Sequence, residues 1–473
     1  MITFDNLTLN AFYEEQKEFI IGARINKIQQ PTRREFLITL RNLGETKQLY
    51  ININPQMYHI CVASKENITK RELEIPKSPP MFCMLLRKYL ENSKIAKLEC
   101  QKGERILEFY IETYNELKDK IFLCLAIELM GKHSNIILYN TDTGIILGCA
   151  HNVGADKSRE REIYGGIPYT YPPQQKQLTK TWDSLIEKVK PQTNVNDLID
   201  NYYANIIAVH KYNMLKNNYK AIVTQKLKKI NKSIAQINNK LLSNSDSDKF
   251  RLWGDLIMAN LYNLPDYSSK IEVFDYENNK QIELKLDKNK TLKENANRFY
   301  RQYTKAKSAN SKINELIEKY TQDKQYIEQL LYSINSAKTI DDLKEISPEV
   351  EHKKEIKKTK QQIDIPKIEF ENGTRIYIGK NNKQNDYIIS KLASDDDLWF
   401  HTHNCAGSHV LLKTQNLTDE LILKCAKLAK ENSSAKDSSK IGVIYTKRKY
   451  LRKPPAANLG YVTYKNEKEI IID

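Results

Sequence analysis

Glycine and proline are scarce in this chain, 15 and 14 of 473 residues. That excludes collagen-like repeats and Gly/Ser-linker architectures. No apolar run approaches the length of about 18 residues that a membrane helix needs. The opening segment, Met1-Ile-Thr-Phe-Asp-Asn6, shows no basic stretch followed by an apolar one, so no secretory signal is expected. The seven cysteines are odd in number and form no CxxC pair. Several sit in apolar runs, as Cys124 does within Ile121–Ile127. They read as buried thiols of a reducing compartment, not as a disulfide framework. The P-loop, dinucleotide, nucleophile-elbow and zincin signatures are all missing. Nothing therefore points to nucleotide hydrolysis, dinucleotide binding or zincin chemistry. A soluble cytoplasmic chain without a cofactor is expected.

What the chain has is positive charge. Lys plus Arg number 75 against 59 Asp plus Glu, a formal net charge of +16. Such an excess favours a polyanionic partner, either nucleic acid or an anionic membrane surface. Apolar residues make up 40%, enough to build cores and to exclude wholesale disorder. The length allows more than one domain.

Residues 1–173 read as mixed α/β structure. Pro79-Pro80 precedes Met81–Leu90, which has helical spacing; Ile121–Met130, Asn135–Tyr139 and Gly144–Gly148 are strand-like. The polar stretch 174–200, with Pro191, reads as a linker. From Asn201 to Ser245 there are eight lysines (Lys211, Lys216, Lys220, Lys226, Lys228, Lys229, Lys232, Lys240) and no acid. Apolar residues fall at Tyr219, Val223, Leu227, Ile230, Ile234, Ile237 and Leu241, close to coiled-coil spacing. A second run follows: Phe299, Tyr303, Ala306, Asn310, Ile313, Ile317, Tyr320, Lys324, Ile327, Leu331 and Ile334. Between them, strand-like Ile271–Tyr276 and Gln281–Leu286 flank a turn. Residues 201–340 are thus expected to form an antiparallel coiled-coil arm with a small tip. Residues 341–362 read as a charged linker and 363–473 as a last compact domain. No internal repeat is evident.

Each candidate site has a plainer reading beside it. His401, His403, Cys405 and His409 fall within Trp399–Val410 and contain zinc-ligand residue types, yet their spacing fits no standard zinc module. Hydrogen-bonded histidines around an Ala406-Gly407 turn are the favoured alternative. A Ser408/His409 nucleophile pair is weaker, because adjacent residues rarely face each other productively. The lysines of 201–245 are the strongest signal. An ordinary solvated helix mixes charge signs to gain i,i+4 pairs, whereas eight lysines without an acid suit phosphates. The cluster Lys447-Arg-Lys-Tyr-Leu-Arg-Lys453 suits either phosphate contact with base stacking or a solvated loop. Gly103-Glu104-Arg105 reads, alone, as an exposed turn, and Lys132-His133-Ser134-Asn135 as either a polar loop that contacts RNA or merely a turn.

Four segments, taken together and in order, resemble the NFACT family, the bacterial RqcH or FbpA type with its eukaryotic relative NEMF. They are Met81–Lys88, Glu128–Ile137, Gly379–Asn385 and Asp397–His401 running on through Gly407-Ser408-His409-Val410. The resemblance implies a multidomain α+β fold. It comprises a mixed α/β NFACT-N domain over 1–173, the antiparallel coiled-coil arm, and an α/β NFACT-R domain over 363–473 with Trp399, Phe400, His401, Gly407, Ser408 and His409 in its motif. Such proteins bind large ribosomal subunits obstructed by peptidyl-tRNA and its nascent chain. They recruit tRNA, alanine tRNA in bacteria, for mRNA-independent C-terminal tailing. Peptide-bond chemistry stays with the ribosome, so no catalytic residue, metal or cofactor is implied, and neither membrane nor DNA is an expected partner. The family's Asp-Arg pair falls on Glu104 and Arg105, which the resemblance assigns to tRNA; Lys132 and His133 are expected to contact tRNA as well. The arm residues Lys226, Lys228, Lys229 and Lys232 are assigned to rRNA. Glu104 replaces the family's Asp, Ala406 stands where Pro is usual, and the helix-hairpin-helix domain of many relatives is reduced or absent within 174–200. A distant likeness to formamidopyrimidine DNA glycosylases carries no glycosylase chemistry, because Ile2-Thr3 replaces the required Pro-Glu. The family's older name suggests an alternative, a fibronectin-binding surface adhesin.

Overall fold

Asp5 opens the first helix: its carboxylate accepts from Thr8 N at 2.9 Å, satisfying a first-turn donor. The computed structural model describes residues 4–101, 103–114, 119–173, 184–186, 194–243, 247–275, 278–351, 363–371, 373–455 and 457–473. The chain divides into two compact units, Met1–Asn213 and Met214–Asp473.

In the first unit, α1 (Asn6–Ile20) leads into β1 (Arg24–Thr32), β2 (Glu35–Asn42), β3 (Glu45–Asn52) and β4 (His59–Ala63). After α2 (Lys65–Arg71), helix α3 (Met81–Leu90) leads into β5 (Lys94–Cys100), β6 (Ile106–Tyr114), β7 (Lys120–Glu128) and β8 (Asn135–Asn140), with β9 (Ile146–Cys149) added. All lie in one antiparallel sheet, ordered β4-β3-β2-β1-β5-β6-β7-β8-β9.

The expectation of no internal repeat does not hold. Each half is a helix followed by a four-stranded meander, and the halves meet about a pseudo-twofold axis at β1 and β5. Gly22 N donates to Ile95 O at 2.8 Å, and its mate Asn92 N donates to Ile25 O at 2.7 Å. Ile25 N reaches Ser93 O, and Ile95 N reaches Ala23 O, both at 2.9 Å. Both strands carry a bulge at the same place, Ile25/Lys27 and Ile95/Lys97. The halves share this backbone pattern but few identical side chains, which hides the repeat from a residue-by-residue reading. Leu9, Phe12, Ile28, Phe36, Leu86, Leu98 and Phe109 form part of the shared core.

Helix α4 begins at Val195, inside the stretch read as a linker, and runs to Ser243. Ile199, Tyr203 and Ile207 recur one turn apart and are buried in the first unit's core. Asp200 meets Arg71 at 2.7 Å with both side chains buried, and it also accepts from Ser64 N and Asn67 Nδ2. His59 stacks on Tyr203 at 4.0 Å. The reduced helix-hairpin-helix expected over 174–200 falls largely outside the described residues.

The second unit takes the rest of α4, then α5 (Asp248–Ala259), the hairpin β10 (Lys270–Asp275) and β11 (Lys280–Lys285), and α6 (Leu292–Ser336). A capping box of Thr291 and Glu294 opens α6. Leu256, Ile257, Ile271, Val273, Leu284 and Phe299 give the hairpin and α5 a core of their own. On both long helices the heptad positions are the covered ones. Tyr219 and Val223 are buried, and Leu227, Ile230, Ile234, Ile237 and Leu241 are half-buried. On α6 the eleven residues of the seam are all buried or half-buried.

The acidic stretch after residue 340 is not linker. It is helix α7 (Ile340–Glu351), because Leu343, Ile346 and Val350 share one buried face. The lysine-rich part of that linker, 352–362, lies outside the described residues. The last domain comprises β12 (Lys367–Glu369), β13 (Arg375–Ile378), α8 (Asn382–Tyr387), β14 (Leu398–Thr402), β15 (Val410–Lys413), α9 (Asp419–Glu431), β16 (Ile441–Lys447), β17 (Leu451–Arg452), β18 (Thr463–Tyr464) and β19 (Lys468–Ile472). Its six-stranded antiparallel sheet runs β12-β13-β15-β14-β16-β19, with α9 packed on one face through Cys425, Ala426 and Ala429. Among the described residues no helix is long and apolar enough to cross a membrane.

Candidate nucleic-acid interface

The pseudo-twofold axis brings four connections of the first unit to one cleft of about 1530 Å³. The β5–β6 turn supplies Gly103, Glu104 and Arg105, and the β7–β8 connection supplies Gly131, Lys132 and His133. The structure therefore unites the four residues that the sequence places in two separate turns. Arg105 is held in position: its Nη1 donates to Tyr58 Oη at 2.9 Å, and its guanidinium lies over the same ring at 5.5 Å. Gly131, at φ +64°, approaches the β3–β4 connection so closely that a Cβ there would contact Pro55 O and Tyr58. Lys132 and His133 are exposed.

Part of the same cleft was missed in the sequence. It holds Arg33 and Arg34 from the β1–β2 turn, with His151, Lys157 and Arg161 from the segment after β9. Arg161 is committed to Glu128, at 2.9 and 2.7 Å through its two terminal nitrogens. The His151 imidazole is held below the usual histidine range, first by burial and then by Arg34, Arg33 and Lys157. The cleft therefore carries a positive field, the arrangement that concentrates anions. The signal available beforehand was the Arg33-Arg34 pair in a turn, which only the fold gives a direction.

Helix α4 differs from expectation in one respect. Its lysines are not all without internal partners, because carbonyls serve where acids are lacking. Lys211 Nζ donates to Arg71 O at 2.6 Å and Lys216 Nζ to Asn335 O at 2.8 Å. Lys226 Nζ donates to Val350 O at 2.8 Å, at the C-terminal end of α7 where the helix dipole favours a cation. Burial holds its ammonium below the usual lysine range. Lys226 is thereby a structural cap, unlike Lys228, Lys229 and Lys232. Those three are exposed, and among the described residues they have no hydrogen-bond or ion-pair partner.

In the last domain the Gly379–Asn385 and Trp399–Val410 segments turn inward. Trp399 is buried, stacked with His401 at 5.7 Å and edge-on to His409 at 5.2 Å. Phe400 stacks on Tyr445. Ser408 N donates to Asn432 O, and His409 N to Asn385 Oδ1. Burial pushes the His401 imidazole down to about 4 and His409 well below its ordinary value. His403 lies elsewhere, against Glu469 at 3.0 Å. Among the described residues no three His, Cys, Asp or Glu side chains are placed to hold a metal ion. The Lys447–Lys453 cluster is partly neutralised: Lys447 and Lys449 share Asp396, and Lys453 pairs with Asp386.

A basic cleft and exposed arm lysines are features that an RNA-binding protein presents. The family described as NFACT N-terminal and middle domains matches residues 5–187 and 178–367, and the NFACT protein RNA binding domain matches 368–466. The chain belongs to the NFACT family. It is 28% identical to the Rqc2 homolog RqcH of Bacillus subtilis, over 100% of this chain and 98% of that one. It is 27% identical to the Rqc2 homolog RqcH of Streptococcus pneumoniae D39, over 99% and 97%. A solved structure, the C-terminal of the fibronectin/fibrinogen-binding protein from Streptococcus suis, covers 55% of this chain and 94% of its own at 24% identity, with a TM-score of 0.43. A likeness that slight carries no argument.

Proposed function

We propose that this protein is a ribosome quality control factor. In this reading it binds large ribosomal subunits obstructed by peptidyl-tRNA. It recruits tRNA, of the alanine type, for mRNA-independent tailing of the stalled nascent chain. The single observation that carries the reading is the convergence of Arg105, Lys132 and His133 in one basic cleft of a chain colinear with RqcH proteins from end to end. Arg105 supplies the fixed guanidinium that bidentate contact with a phosphate or base edge requires, and Tyr58 holds it in place. Glu104 sits beside it with a longer reach than the family's Asp. Lys228, Lys229 and Lys232 then make phosphate contacts with rRNA. The chemistry of peptide-bond formation belongs to the ribosome, and the protein works in the cytoplasm. The alternative, a fibronectin-binding surface adhesin, rests on the family's older name alone.

The test is the RNA that purifies with the protein. Large-subunit rRNA and one tRNA species are expected to be enriched. Arg105→Ala is expected to lose the tRNA and keep the rRNA. Recovery of tRNA with that variant removes Arg105 from the site.

A further inference from the structure

The Glu104–Arg105 turn has a mate. Under the pseudo-twofold relation that matches β1 to β5 and β2 to β6, the β5–β6 turn corresponds to the β1–β2 turn. That second turn carries Arg33 and Arg34, and it lines the same cleft. The two turns differ in how their guanidinium groups are used. Arg105 is already engaged by Tyr58. Arg33 and Arg34 are exposed, and their side chains have no hydrogen-bond or ion-pair partner among the described residues.

Their turn is nonetheless built. Gln30 Nε2 donates to Arg33 O at 3.4 Å, Arg34 N donates to Thr32 Oγ1 at 3.3 Å, and Ile53 N donates to Arg34 O at 2.8 Å. Glu35, the nearest acid in sequence, is buried and accepts from Tyr50 Oη at 2.6 Å, so it does not neutralise them. Facing the turn is His151, whose main chain Asn135 clamps from both sides. His151 N donates to Asn135 Oδ1 at 3.0 Å, and Asn135 Nδ2 donates to His151 O at 2.8 Å. The ring's Nε2 is enclosed and has no hydrogen-bond partner among the described residues. Lys157 completes the group, and Glu160 is the one carboxylate on this wall of the cleft that no ion pair occupies among the described residues. Arg33, Arg34 and Lys157 thus all lie within electrostatic reach of the His151 ring, an excess of cations that attracts an anion.

We propose that Arg33, Arg34, Lys157 and His151 form a second phosphate seat, which grips a phosphodiester of the same RNA strand that Arg105 engages. The cleft then holds RNA from two sides through symmetry-related turns, one reading through a fixed guanidinium and the other anchoring by charge. This rests on the reading of the cleft as an RNA site.

The experiment uses the full chain, a short fluorescent single-stranded RNA, and inorganic phosphate as a separate probe. Arg33→Ser/Arg34→Ser changes only exposed side chains, so the fold is retained. It is expected to weaken RNA binding by about tenfold, and to make the salt dependence shallower by about 0.7, the loss of one phosphate contact on a single strand. The His151 imidazole resonance, assigned from His151→Gln, is expected to shift when RNA binds to the wild type. Arg105→Ala is expected to bind RNA more weakly, yet still to shift His151 at saturation. An unchanged salt slope in the double variant, with a silent His151, overturns the seat and leaves the Arg105 side standing. A His151 shift produced by inorganic phosphate and not by RNA overturns the assignment to a phosphodiester. No RNA binding by the wild type overturns both the seat and the RNA reading of the cleft.

Discussion

Gln329 and Gly407 exchange two hydrogen bonds: Gly407 N donates to Gln329 Oε1 at 2.7 Å, and Gln329 Nε2 donates to Gly407 O at 2.9 Å. One side-chain amide of α6 thus pairs with one peptide of the Ala406–His409 turn, as a neighbouring strand would. Alongside, Glu345 of α7 accepts from Asn381 and Gln384, and Glu349 accepts from Asn382 and Tyr326. The Gly379–Asn385 and Gly407–His409 segments therefore fasten the C-terminal domain to the base of the arm.

Gln329→Ala leaves the Gly407 amide without its partner and its carbonyl with the longer bond from Asn385 Nδ2. The expected loss is about 1–3 kcal/mol of stability, read by urea denaturation, with faster amide exchange confined to the turn around Gly407. Gly407→Ala tests the packing of the turn itself. Its Cβ would lie 2.9 Å from Ser433 Cβ and 3.2 Å from Asn432 O. A destabilisation of about 1–3 kcal/mol is expected, and an unperturbed denaturation midpoint in both variants contradicts the fastening role.

The arm lysines separate into two groups with opposite phenotypes. Lys226→Met removes a cap from α7 and is expected to cost about 1 kcal/mol in stability with little change in RNA affinity. Lys228→Glu/Lys229→Glu/Lys232→Glu is expected to leave stability within about 0.5 kcal/mol and to weaken large-subunit binding steeply at low salt. Melting curves and sedimentation at two ionic strengths check both, and the reverse pattern contradicts the division.

Stability is expected to fall on mild acidification. His59 is pushed down to about 3, His401 to about 4, and His409 well below the ordinary range, all chiefly by burial. Below the ordinary histidine value near 6.5 the unfolded chain takes up protons that the native rings refuse. Stability therefore declines as pH drops from about 6.5, and the His401 contribution levels off below about 4. Asp200, held below its usual range by its hydrogen bonds and Arg71 against the cost of burial, loses its contribution only at still lower pH. Glu349, raised by burial, acts in the opposite direction. Urea midpoints at several pH values between 7 and 4 check this, and a flat profile contradicts it.

Much of the architecture was legible in the sequence because it is periodic. Every seam residue of the heptads at Tyr219–Leu241 and Phe299–Ile334 is buried or half-buried on α4 and α6. The hairpin between Lys270 and Lys285 was equally plain. Two things were not. The root of α4 around Asp200 is polar in composition, and its helical character depends on Arg71 and Tyr203 meeting a core laid down far earlier in the chain. The Arg33–Arg34 wall is two ordinary turn residues until the pseudo-twofold sheet carries them to the cleft. Lys226 shows the converse: a helix lysine gives no local sign that a carbonyl of α7 receives it.

Sedimentation of the purified protein with ribosomal particles, at low and at high salt, tests the central claim most directly. The predicted result is co-migration with large subunits at low salt, lost as ionic strength rises, with tRNA present for the wild type and absent for Arg105→Ala. Migration apart from the large subunit at low salt, or binding indifferent to ionic strength, would contradict it.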